Sequence, residues 1–161
     1  MRYFVRRAGT KLDSYTKRGG LWFEIIDREL YAVTTNAFNR IFNNDNMHFA
    51  FVELNNPRYF QYDSINEANL PLYVFSKVFG MPLEDVEKDF NEKYKERFYN
   101  KKDINLKTSV YSGEEVISEY EKAVSNQLLK DGYDSAIIYN EVIQYNHLFV
   151  LMPYVKDINW L

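Results

Sequence analysis

Only a few residues in this chain have types and spacings suited to chemistry. The two histidines, His48 and His147, are far apart in sequence, and no H-x-x-x-H pair exists to start a zinc site, so no metal is expected. With no cysteine in the chain, thiol nucleophiles, thiolate metal sites and disulfides are excluded. No Walker sequence, no G-x-G-x-x-G after a strand and no G-x-S-x-G elbow is present. What remains is an arginine pair, Arg6-Arg7, and a set of turn residues between positions 128 and 160 that includes Glu141. A guanidinium at a strand end can clamp phosphate oxygens with charge-assisted, bidentate bonds. Strand alternation sends Arg6 and Arg7 to opposite faces, so at most one is expected to point into a cleft. Their plainer role is a surface pair covering a sheet edge, and that of Glu141 is a solvated hairpin acid.

The chain that must hold these residues has 161 positions, 46% of them hydrophobic, which suits one domain spanning 1–161. A formal net charge of −3 and a pI near 5.5 do not give the basic footprint of a general nucleic-acid binder. Arg6, Arg7, Lys11, Lys17 and Arg18 nonetheless concentrate positive charge near the start. No run approaches the ~20 apolar residues of a membrane span, and the first residues lack the apolar stretch of a secretory signal. Together with the lack of cysteine, this leads to the expectation of a soluble, cytoplasmic protein without a membrane partner. Fourteen Tyr and twelve Phe, beside abundant Asn and Lys, fit the codon bias of an AT-rich genome, so aromatic content by itself is not read as functional.

Periodicity gives the elements. Residues 2–7 alternate and are rich in Tyr, Phe and Val, predicting a strand. Residues 8–20 are polar and end in Gly19-Gly20, predicting a loop, and Leu21-Trp22-Phe23 reads as a brief buried strand. A helix is expected over 27–37, a turn over 43–46, and a strand over 48–54 closed by Asn55-Asn56-Pro57. Residues 69–79 form a helix by pattern, and after Pro82 the positions Leu83, Val86, Phe90 and Tyr94 space as a second amphipathic helix with a mixed-charge outer face. Ser112 with Glu115 matches a capping box, predicting a helix that begins there, carries the stripe Val116, Tyr120, Val124 and Leu128, and ends at Gly132. Strands are then expected over 135–139, 147–152 and, after the break at Pro153, 155–160. The fold class is therefore α+β, a mainly antiparallel sheet with helices in the middle of the chain.

Three segments taken together resemble ADP-ribosyltransferases. They are Arg6-Arg7-Ala8-Gly9-Thr10 at the end of the first strand, Gly20-Leu21-Trp22-Phe23 leading toward Tyr31-Ala32, and the block from Leu129 through Gly132-Tyr133-Asp134 to Asn140-Glu141. Phe51-Val52-Glu53-Leu54-Asn55-Asn56-Pro57 adds to the likeness. The order of these segments, and the placing of the helices, is similar to small phage and bacterial members, the ADP-ribosylating anti-CRISPR proteins in particular. The resemblance implies a split sheet of the ADP-ribosyltransferase type and NAD as co-substrate. It implies that Arg6 or Arg7 holds NAD, and that Trp22, Phe23 or Tyr31 stacks on nicotinamide, with Tyr31 favoured. For these aromatic residues the plain reading is core packing.

The resemblance also implies that Glu141 supplies the carboxylate for glycosidic chemistry. Breaking the nicotinamide–ribose bond builds positive charge on the sugar, and a fixed carboxylate lowers that barrier. One departure stands out. His147 occupies the position where better-known relatives keep their glutamate, neither E-x-E nor a serine-threonine-serine motif is present, and Glu24-Ile25 stands where Ser or Thr is common. Either Glu141 acts from the preceding turn or transferase activity has been lost, with His147 then a polar contact to NAD or to the target, or a packed strand histidine.

The implied function is mono-ADP-ribosyl transfer to a macromolecular target, as a phage or mobile-element protein that inactivates a host defence component. The implied partner is a protein, which includes the case of a nucleic-acid-binding defence complex. The alternatives are an inactive binding module of the same fold that blocks a protein partner, and a toxin that hydrolyses NAD or modifies nucleic acid.

Overall fold

The computed structural model describes residues 1–8, 15–26, 47–63, 69–98, 106–142 and 146–161. Its strands are β1 (Arg2–Ala8), β2 (Gly20–Ile26), β3 (Met47–Glu53), β4 (Pro57–Tyr62), β5 (Ser135–Asn140), β6 (Asn146–Leu151) and β7 (Asn159–Trp160). The helices are α1 (Tyr15–Arg18), α2 (Leu70–Phe79), α3 (Leu83–Phe98) and α4 (Leu106–Lys130), with a 3-10 helix over Met152–Asp157. The helix read over 27–37, with Tyr31, and the turn at 43–46 lie outside the described residues. No helix among those described is long and apolar enough to cross a membrane.

The strands form one sheet in the order β4-β5-β6-β2-β1-β3-β7, antiparallel except for the β4–β5 pair. The fold is thus α+β with a mostly antiparallel mixed sheet and helices in the middle of the chain. Only Leu54, Asn55 and Asn56 join β3 to β4. In a flat sheet these strands, five neighbours apart, would be separated by ~24 Å, whereas the connection reaches about 14 Å. The sheet therefore curls. The buried Asp134, just before β5, holds the curl by accepting the backbone N–H groups of Asn55 and Asn56 at 2.7 and 3.1 Å.

Period-2 alternation then gives the sheet two apolar faces. The face turned inward packs Val5, Leu21, Phe23, Ala50, Ile137, Leu148 and Val150 with Val155 and Ile158 from the carboxy-terminal segment. The outer face packs Phe60, Ala136, Ile138, Phe149 and Leu151 under Leu70 and Val74 of α2 and Val124 and Leu128 of α4. Helix α3 joins α2 and α4 through Val86, Leu72, Val116 and Tyr120. At the end of α4, Gly132 has φ +90°, and the N–H groups of Gly132 and Tyr133 bond to the carbonyls of Leu129 and Leu128 at 3.1 and 2.9 Å. This is the left-handed closure expected from the sequence.

Several expectations are corrected. Helix α4 begins at Leu106, so Ser112 lies within it and is not its N-cap. An S-x-x-E spacing fits a helix interior as well as its start, and here the helical pattern continues upstream. Proline 57 opens β4 instead of closing a segment, because β4 is an edge strand and Pro57 its first residue, where a missing N–H costs no ladder bond. Residues 155–160 are not one strand. Pro153 has a fixed φ suited to a first helical turn, the chain winds as a 3-10 helix to Asp157, and only Asn159–Trp160 pairs with β3. Residues 15–18, inside the stretch read as loop, are helical, and β2 runs on to Ile26.

Candidate functional site

The alternation that buries Leu21 and Phe23 leaves Gly20, Trp22 and Glu24 on the other face of β2. Register then decides what they meet. Glu24 is directly opposite Arg6 on β1 and directly opposite His147 on β6, so the three form a row across neighbouring strands on one face. The Arg6 guanidinium grips the Glu24 carboxylate, with Nε and Nη2 each 2.7 Å from Oε2. Both side chains keep partial contact with solvent, at 19% for Arg6 and 36% for Glu24.

This row borders a cleft of about 370 Å³, whose lining also includes Arg7, Arg18, Trp22 and Met47. The size lies in the range of roughly 300–1,000 Å³ usual for small-molecule sites. Its lining residues include three arginines, one tryptophan, one glutamate and one histidine. Such a set can bind an anionic ligand that carries a flat ring.

The chain enters the lining of the cleft through Gly19-Gly20, of which Gly20 borders it. Gly19 has φ +78°, a backbone conformation that disfavours a side chain, and a Cβ there would stand 2.7 Å from Ser125 Cβ on α4. A Cβ on Gly20 would stand 2.2 Å from the Val150 carbonyl oxygen of β6. The two glycines let the α1–β2 turn pass between helix and sheet, which carries Arg18 and Trp22 into the lining.

The residues singled out from sequence fare differently. Arg6, Trp22 and His147 come together in the cleft. Arg7 also borders the cleft, and its Nη1 donates to the Trp22 carbonyl oxygen at 3.2 Å. Trp22 is half-buried: its ring stacks on Phe149, with centroids 4.7 Å apart and an 18° tilt, and its N–H donates to Glu121 Oε2 at 2.6 Å. Phe23 borders the cleft by its place in the chain, yet its side chain is 2% exposed and packs in the core against Trp160. Glu141 is exposed in the turn after β5, its backbone N–H bonded to the Tyr62 carbonyl oxygen at 3.1 Å, and it is not among the residues lining the cleft. His48 lies on β3 with its ring perpendicular to that of Trp160, centroids 6.4 Å apart. Among the described residues, no group of three or more His, Asp or Glu side chains is placed to hold a metal ion.

Sequence reasoning did not offer Glu24, Arg18 or Glu121 as site residues, although Arg18 was counted in the basic stretch near the start and Glu24 was noted where a Ser or Thr is common. For Glu24 a signal existed: a charged residue two positions after Trp22 in an apolar strand shares its face. For Glu121, 99 positions from Trp22, only the fold supplies the proximity.

A second groove, of about 670 Å³, flanks the edge strand β4 and is lined by Arg58, Tyr59, Tyr73, Lys77 and Tyr139. The rings of Tyr59 and Tyr139 lie nearly parallel with centroids 5.8 Å apart. Burial, and a hydrogen bond with Tyr59, push the Tyr3 hydroxyl up to about 12. This groove is larger but lacks the guanidinium–carboxylate–imidazole row of the first. No protein family, no curated protein and no solved structure matches this chain.

Proposed function

We propose that the chain is an NAD-dependent mono-ADP-ribosyltransferase acting on a macromolecular target, with the first cleft as its NAD site. The observation that carries this reading is the row Arg6, Glu24 and His147 beside Trp22 in a single cleft. NAD supplies the ADP-ribosyl group, and nicotinamide leaves as the target's nucleophile takes its place on the ribose. The guanidinium groups of Arg6, Arg7 and Arg18 suit the two phosphates, which accept bidentate, charge-assisted bonds. The Trp22 ring offers a π face to the cationic nicotinamide. Glu24, fixed by Arg6, supplies negative charge where positive charge develops on the sugar. His147 offers an imidazole that can take the proton given up by the nucleophile.

The carboxylate role thus moves from Glu141 to Glu24, because Glu24 lines the cleft and Glu141 does not. On this reading the curled sheet is of the split ADP-ribosyltransferase type. The target is a protein of the host's defence against a phage or mobile element, met in the cytoplasm. Radiolabelled NAD incubated with the protein and a bacterial lysate tests the proposal. A labelled protein band that is lost in Glu24→Gln and kept in Glu141→Gln supports it. No transfer, together with no NAD-induced rise in melting temperature, sinks it.

A second reading, a binding module of this fold without catalysis, draws on His147 standing where relatives keep glutamate and on Glu24 being tied to Arg6. It is separated by NAD that protects the protein from melting yet is never consumed.

A further inference from the structure

Behind the cleft lies a carboxylate with no sequence motif to mark it. Glu121 is on α4, one helical turn before Ser125, and is 2% exposed. An ionised carboxylate is costly to bury unless its partners offset the lost hydration. Two of its partners belong to the cleft. Oε2 accepts the Trp22 indole N–H at 2.6 Å, and Oε1 lies 4.0 Å from Nη1 of Arg18. Ser125 Oγ donates to the Gly19 carbonyl oxygen at 2.6 Å, so the same helix face also holds the backbone between Arg18 and Trp22.

We propose that Glu121 is a positioning residue for the cleft, fixing the Arg18 guanidinium to receive a ligand's phosphate and the Trp22 indole to pack beside it. The proposal rests on reading the cleft as a site for a pyrophosphate-bearing nucleotide. Arg18 ends the short helix α1, and its side chain is 25% exposed, long and rotamer-rich. A negative charge behind it orders the guanidinium before the ligand arrives, so less freedom is lost on binding. The Trp22 ring is fixed on one face by Phe149 and at its N–H edge by Glu121. A carboxylate that merely welded α4 to β2 would do nothing for a ligand in the cleft.

The test is a double-mutant cycle. Calorimetric titration with inorganic pyrophosphate, and separately with NAD, is run on the wild type, Glu121→Gln, Arg18→Ala and the double variant, with melting temperature recorded for each. Glutamine keeps an acceptor for the indole N–H but drops the charge that faces Arg18. Pyrophosphate affinity is expected to fall on the order of tenfold in each single variant and no further in the double, because the two residues act as one unit. Glu121→Gln that melts earlier but binds pyrophosphate as the wild type does overturns the proposal. So do additive losses in the double variant, or a wild type that does not bind pyrophosphate. Arg18→Ala takes away the cation 4.0 Å from the buried Glu121, so its melting temperature is the control for folding, and unchanged affinity in the folded variant overturns the proposal independently. A wild type that binds pyrophosphate but not NAD, with the cycle non-additive, removes the NAD reading and upholds this one.

Discussion

Arg6 and Glu24 face each other across β1 and β2 with guanidinium nitrogens 2.7 Å from a carboxylate oxygen, in a cleft and not in the core. A partly exposed pair of this kind contributes little to stability, about 1 kcal/mol at most, because the Coulomb gain is screened and two side chains are ordered to obtain it. The same carboxylate beside a developing positive charge is worth far more. On the proposed function, Glu24→Gln is therefore expected to leave the urea midpoint almost unchanged and to lower ADP-ribosyl transfer on the order of 100-fold. Equal losses of stability and activity would make Glu24 a structural residue.

Gly20 gives a sharper steric prediction. An added methyl group meets the Val150 carbonyl oxygen at 2.2 Å and the Phe149 ring at 2.8 Å, both in the central strand β6. Neither is the far end of a flexible chain, so the β2–β6 pairing must open. Gly20→Ala is expected to cost on the order of 3 kcal/mol in denaturant unfolding. A loss below about 1 kcal/mol would mean that the sheet yields easily there.

Asp134 closes the curled sheet from a buried position, accepting two backbone N–H groups of the β3–β4 connection and the Ser135 hydroxyl at 2.8 Å. Asp134→Ala removes a buried charged acceptor from two part-buried N–H bonds, each worth roughly 1.5–3 kcal/mol. Hydrogen exchange at the Asn55 and Asn56 amides is expected to speed up well before that of β6 amides. Uniform acceleration across the sheet would instead assign Asp134 a global role without local closure.

What the sequence could reveal follows from how local each signal is. The stripe Val116, Tyr120, Val124 and Leu128 announced α4, and these residues are buried as the period requires. The start of that helix was illegible, because the Ser112–Glu115 spacing is the same inside a helix as at its cap. Strand β4 was hidden by Pro57, whose meaning depends on whether the strand is an edge, and that is set by tertiary order. At the cleft, Arg6 was legible as one of a strand-end arginine pair, whereas Trp22 and His147 were singled out only through the resemblance to ADP-ribosyltransferases. Glu24 was not placed on the strand because β2 was read as ending at Phe23, three residues early, and Glu121 had no local sign at all.

The pair Tyr120–Asp89 yields a prediction in pH. The Tyr120 hydroxyl donates to Asp89 Oδ2 at 2.5 Å, and Lys93 Nζ lies 3.2 Å from the same oxygen. The Tyr120 bond first, and Lys93 to a smaller degree, hold the Asp89 carboxyl below its ordinary value of 3.8, against a partial upward push from desolvation. The folded protein therefore favours the charged form more than the unfolded chain does. The resulting stability is fully present above the unfolded value and is lost as pH falls through the folded one. Because the Asp89 side chain is 48% exposed, the contribution is screened and should be under about 1 kcal/mol. Asp89→Asn is expected to unfold at lower urea than the wild type at pH near 7, with the gap closing in acid below about pH 4. In Tyr120→Phe the same Asp89→Asn substitution should produce a smaller gap with weaker pH dependence. An Asp89→Asn gap that is constant from neutral pH into acid would show that the carboxyl is not held down in the folded state.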